Sequence, residues 1–65
     1  MIERYLDGLR DRGYIVNVHV ENGKTIIECG YNDVTLTNTL MQGIIEDVRV
    51  MEILNVMVDD LGVPV

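Results

Sequence analysis

The chain contains no serine, alanine, phenylalanine or tryptophan, and only one cysteine, one histidine and one proline in 65 residues. Each shortage removes a class of function. Without serine there is no serine nucleophile for acyl transfer. Cys29 has no partner for an intramolecular disulfide, so the covalent staple of many short domains is missing. A lone cysteine also fits a reducing compartment. One cysteine and one histidine cannot begin a zinc set, and the acids lack the spacing of a calcium loop. The glycines at 8, 13, 23, 30, 43 and 62 match no phosphate-cradling motif. No metal and no cofactor is therefore expected. No apolar run approaches the ~20 residues that a membrane span requires. Met1-Ile2-Glu3-Arg4 opens straight into an amphipathic pattern rather than a signal peptide, and the expected location is the cytoplasm.

Positive charge is scarce as well. Five bases stand against eleven acids, a formal charge of −6. Nucleic-acid binding rests on Lys and Arg neutralising phosphates, so direct contact with nucleic acid is not expected, nor is an anionic membrane surface. The three tyrosines are expected to point inward and to offer no stacking platform for bases. A chain this short buries only ~60% of its unfolded surface and is marginal alone. We read residues 1–65 as a single domain.

What is present is organised around Tyr14–Tyr31, which reads YIVNVHVENGKTIIECGY. Asn22-Gly23 tolerates positive φ at both central turn positions and sits between two β-rich runs, so it predicts a type I′ hairpin. That turn sets Glu21 opposite Lys24, Val18 opposite Ile27, Val16 opposite Cys29 and Tyr14 opposite Tyr31. Side chains alternate across a strand. Tyr14, Val16, Val18, Val20, Thr25, Ile27, Cys29 and Tyr31 then share a core face. Ile15, Asn17, His19, Glu21, Lys24, Ile26 and Glu28 share the other.

Before the hairpin, residues 2–12 read as a helix with Ile2, Tyr5, Leu6 and Leu9 on one side and Gly13 as its left-handed stop. After it, Asn32-Asp33 predicts a turn and Asp33–Thr37 a short third strand. Asn38 and Thr39 then read as helix caps, Thr39 with Gln42 at capping-box spacing. From Leu40 to Leu61 the chain has Gly43 as its one breaker. Leu40, Met41, Ile44, Ile45 and Val48 form one helical stripe; Val50, Ile53, Leu54, Met57, Val58 and Leu61 form another, rotated by roughly a third of a turn. That predicts one helix kinked or restarted near Asp47–Arg49, or a helix pair. Gly62 ends it and Val63-Pro64-Val65 reads as an extended tail. The expected fold is α+β: an N-terminal helix, an antiparallel hairpin or three-stranded meander, and a C-terminal helix or kinked helix pair.

Two features bear on function. Glu3, Asp7 and Asp11 repeat at i, i+4, i+8 along one helix face, and Glu52 and Asp59 share a ridge farther on. Like charges at that spacing weaken an isolated helix slightly. The plainer reading is a solvated face; the sharper one is a surface that imitates phosphate spacing and occupies a basic groove. The second feature is the stripe of Val50, Leu54, Met57, Val58 and Leu61. One small sheet cannot cover both stripes, so these residues are expected to form a homodimer interface. His19 reads as a surface histidine diagonal to Glu28, and Cys29 as a buried, inert thiol beside Val16. The two lie on opposite faces and cannot pair, so no enzyme is expected.

The opening I-x-x-Y-L-x-x-L followed by Y-I-V-N-V resembles the start of one type of small acidic phage-encoded inhibitor, and the layout is similar to that of such inhibitors, some anti-CRISPR proteins among them. The likeness lies in size, charge and element order over most of the chain, and it carries over no functional residue. It implies a non-enzymatic interaction protein that occupies a basic, nucleic-acid-binding site on a larger protein. The alternative is a homodimeric assembly module that uses the apolar C-terminal helical region.

Overall fold

A computed structural model of the chain describes residues 2–43 and 45–62. The elements run α1 (Ile2–Asp11), β1 (Ile15–Glu21), β2 (Lys24–Tyr31), β3 (Val34–Leu40) and α2 (Asp47–Leu61). The three strands form an antiparallel sheet in the order β1-β2-β3. Both helices pack on one face of it, and they touch each other. The fold is α+β, a meander with its helices on one side.

α1 ends because Gly13 takes φ +96°. The Gly13 N–H donates to the Arg10 carbonyl at 3.0 Å and the Tyr14 N–H to the Leu9 carbonyl at 3.1 Å, the paired bonds of a Schellman motif. Leu9 and Tyr14 are both buried, which supplies the motif's apolar contact and swings the chain directly into β1. The hairpin then forms as its turn predicts. Asn22 and Gly23 have φ of 51° and 72°, and the register runs from Glu21–Lys24 through Val16–Cys29 to Ile15–Gly30. Tyr14 lies just before the ladder. It meets Tyr31 through its ring instead, with centroids 5.2 Å apart and planes tilted by 59°.

The face assignment holds along most of the hairpin. Val16, Thr25, Ile27 and Cys29 are buried under the helices, while Ile15 is 64% exposed on the open side. Val20 departs from it at 58% exposed: it alternates correctly and pairs with buried Thr25, but it lies on the edge strand beside an open groove that Ile2, Leu6 and Val18 also line.

The third strand is longer than expected. It continues through Asn38 and Thr39 to Leu40, so those residues are not helix caps. Thr25 pairs with Leu40, Ile26 with Thr39 and Ile27 with Asn38. Leaving the sheet at Thr37 would strip partners from the backbone of that half of β2, which is a costly loss at a buried strand. A connection through 41–46 follows, and α2 begins only at Asp47. Hence the stripe of Leu40, Met41, Ile45 and Val48 is not one helical face: Leu40 is in a strand, Met41 is 75% exposed and Ile45 packs from the connection. Ile44 and the tail at 63–65 lie outside the described residues. One unbroken helix remains rather than a helix pair, and it closes at Gly62 with φ 66°.

The buried core joins both layers: Leu9 and Tyr14 from the first helix and its exit, Val16, Ile27 and Cys29 from the sheet, and Val50, Leu54 and Met57 from α2.

Candidate functional site

The N-terminal acidic ridge follows from helix geometry. With Ile2, Tyr5, Leu6 and Leu9 turned to the core, Glu3, Asp7 and Asp11 fall on the opposite face, and all three are exposed. A hydrogen bond from its own backbone N–H holds the Glu3 carboxyl below the usual carboxylate range, as an acid in a first helical turn should be held. Arg10 and Arg12 turn back on the fold. Arg10 Nη2 donates to the Val16 carbonyl at 2.7 Å, and its Nη1 lies 3.6 Å from Asp7 Oδ1. The Arg12 guanidinium sits 5.4 Å from the Tyr14 ring centroid.

α2 is more one-sided. It carries Asp47, Glu52, Asp59 and Asp60 against Arg49 alone. Glu52 and Asp59 project away from the sheet and are exposed. Asp59 and Asp60 also stand in the last turn, where carbonyl dipoles disfavour negative charge. Because both helices cover the same side of the sheet, the two ridges belong to the outer surface of one layer.

The proposed dimer stripe is placed elsewhere. Val50, Leu54 and Met57 are 3%, 0% and 5% exposed, and Val58 and Leu61 pack against the same core. Val50, Leu54 and Met57 are spent on the chain's own fold, and Val58 and Leu61 are partly covered by it. The expectation that they form an interface between copies is corrected, and the reason is plain: with residues 38–40 in the sheet there is no rival helical stripe, so the sheet covers this one.

His19 is exposed on the open face. Its Nε2 lies 3.6 Å from Glu21 Oε2, so its carboxylate neighbour is Glu21 rather than Glu28. Cys29 is fully buried on the other face, and burial pushes its thiol pKa up. Among the described residues no cluster of His, Cys, Asp or Glu is placed to hold a metal ion, and no helix is long and apolar enough to cross a membrane.

One further feature is visible only in the folded chain. A groove of about 340 Å³ runs between β3 and α2, lined in part by Asn38, Arg49, Glu52, Ile53, Val56 and Asp60. Its signal was the spacing of Arg49, Ile53, Val56 and Asp60, which falls on one helix flank only once α2 is known to begin at Asp47. No protein-family model matches the chain, and searches of curated proteins and of solved structures return no match.

Proposed function

We propose that this chain is a non-enzymatic, acidic protein-interaction module whose helical layer engages a basic surface on a larger protein. The observation that carries this reading is the placement of Glu3, Asp7, Asp11, Glu52 and Asp59. All five are exposed, and all lie on helices that share one side of the sheet. Asp59 stands where it costs the helix stability, which a fold-driven placement would avoid. The most concrete form is an inhibitor of the phage type, with carboxylates standing in for phosphates in a nucleic-acid-binding groove. Its setting would be the cytoplasm.

The test is the ionic-strength dependence of partner capture on the immobilised protein. Charge-driven binding gains its speed from complementary fields and is screened over a Debye length of ~8 Å near physiological salt. Capture that fades steeply between low and high salt supports the reading. Capture indifferent to salt contradicts it.

A further inference from the structure

β3 is an edge strand: one long side pairs with β2, and among the described residues nothing pairs with the other. That free edge, Val34–Leu40, reads VTLTNTL and holds neither charge nor proline. Exposed edges template pairing with another chain and are ordinarily blunted by charge, proline or a bulge. The opposite edge strand, β1, carries His19 and Glu21. β3 carries no such guard.

Beside it, the flank of α2 presents Arg49, Ile53, Val56 and Asp60 in steps of four, three and four, the spacing of one helix–helix contact stripe. A base stands at one end, an acid at the other, and two branched aliphatics between. Turned end for end, the stripe is its own complement. α2 runs back along β3, since its start lies with Thr25 and Gly43 at the hairpin end of the sheet. Ile53 and Val56 therefore stand level with Asn38, with which they line the groove.

We infer that a second copy of the chain occupies this edge, with the two β3 strands antiparallel about a two-fold axis at Asn38. The two three-stranded sheets become one continuous sheet. In that register Leu36 faces the partner's Leu40, Thr37 faces the partner's Thr39, and Asn38 faces its own copy. Every pair keeps to its own face, and like-sized or hydroxyl-bearing pairs across strands are favourable. Asn38 points to the helical side, where a leucine would pack better; facing its copy, its amide meets an amide. The same axis sets the two α2 helices antiparallel, with Arg49 beside the partner's Asp60 and Ile53 beside the partner's Val56. The spacing allows it. Strands repeat every ~4.8 Å, so the two β2 strands would stand ~14 Å apart. α2 packs on both β2 and β3, inward of that line, so the helix axes approach the ~8–10 Å of packed helices. Glu52 lines this groove as well, so it borders the contact, while Glu3, Asp7, Asp11 and Asp59 of the acidic face stay outside it.

Two experiments test it. In Asn38→Cys the paired Cα atoms would lie ~4.5–5.5 Å apart, within disulfide reach, whereas the copies in Val34→Cys would lie ~27 Å apart. Oxidation should give a covalent dimer of Asn38→Cys and not of Val34→Cys. By sedimentation equilibrium the unaltered protein should be a dimer. Arg49→Asp and Asp60→Arg should each raise its dissociation constant roughly tenfold by setting like charges together, and the double exchange should restore it. A monomer at hundreds of micromolar, equal cross-linking at both cysteine positions, or a dimer that both charge reversals leave unchanged would each overturn the inference.

Discussion

The hydroxyl of Thr25 lies 2.7 Å from the Gln42 carbonyl oxygen and 3.1 Å from that of Gly43, and donates to them. Thr25 is buried at 2% exposure, so this contact holds the connection between β3 and α2 against the hairpin end of the sheet. Thr25→Val keeps the shape and removes the donor. It should cost ~0.5–1.5 kcal/mol, the net worth of a hydrogen bond whose carbonyl partners are only part-buried and can turn to water. A urea midpoint that falls with an unchanged m-value would show it. An unchanged midpoint would mean that the connection is held by packing alone.

Leu54 is fully buried beneath the sheet. Leu54→Ala should therefore cost ~2–5 kcal/mol, a large share of the stability of so small a domain. Leu54→Asp should unfold the chain outright rather than yield a folded monomer. Far-ultraviolet circular dichroism of Leu54→Asp separates the two outcomes, and a native spectrum would return Leu54 to the surface.

Gly13 and Gly30 are both fixed by geometry, but by different geometry. Gly13 has φ +96°, and an added Cβ would meet the Tyr31 ring at 3.2 Å. Gly30 has ordinary strand φ, yet a Cβ there would lie 2.9 Å from Thr35 Oγ1 and 3.1 Å from the Val34 carbonyl oxygen. Each Gly→Ala change should lower stability by ~1–3 kcal/mol, the first through backbone strain and the second through crowding. Gly8→Ala is the control: its Cβ meets nothing within 4 Å in a helix interior, and it should stabilise by ~0.5–1 kcal/mol. Thermal midpoints of the three variants give the comparison.

Glu3 carries a pH signature. Its folded carboxyl titrates below the ordinary value of 4.5 because its own backbone N–H bonds the charged form. A lowered folded pKa contributes stability that is present above the unfolded value and lost as pH falls through the folded one. The stability gap between the protein and Glu3→Gln should therefore be full at neutral pH and close on acidification below 4.5. Urea titrations at a series of pH values between neutrality and strong acid would measure it. A gap that widens in acid would contradict the assignment.

Local chemistry made the first half of the fold legible. The Asn-Gly turn, the Gly13 stop and the alternation of Val16 and Val18 each act within a few residues, and the register follows from them. The second half turned on a long-range demand. Asn38 and Thr39 have good capping chemistry, but the free side of β2 needs partners as far as Thr25, and the ladder won. Once β3 took those residues, the apparent conflict between two helical stripes vanished, and with it the reason to place Leu54 in an interface. The acidic ridges survived this change because exposure on a helix is read from the same periodicity that places its core side.

We propose that the exposed carboxylates of Glu3, Asp7, Asp11, Glu52 and Asp59 serve a partner more than the fold. The direct measurement is paired capture from a lysate, using the protein and a variant with Glu3→Gln, Asp7→Asn, Asp11→Asn, Glu52→Gln and Asp59→Asn as matched baits at low salt. The variant should stay folded, since all five side chains are exposed, and the loss of Asp59 beside the helix end should offset the loss at Glu3. A basic protein should be retained by the unaltered bait, displaced by nucleic acid, and absent from the variant. The same proteins on both baits would contradict it and leave the acidity as solubilisation.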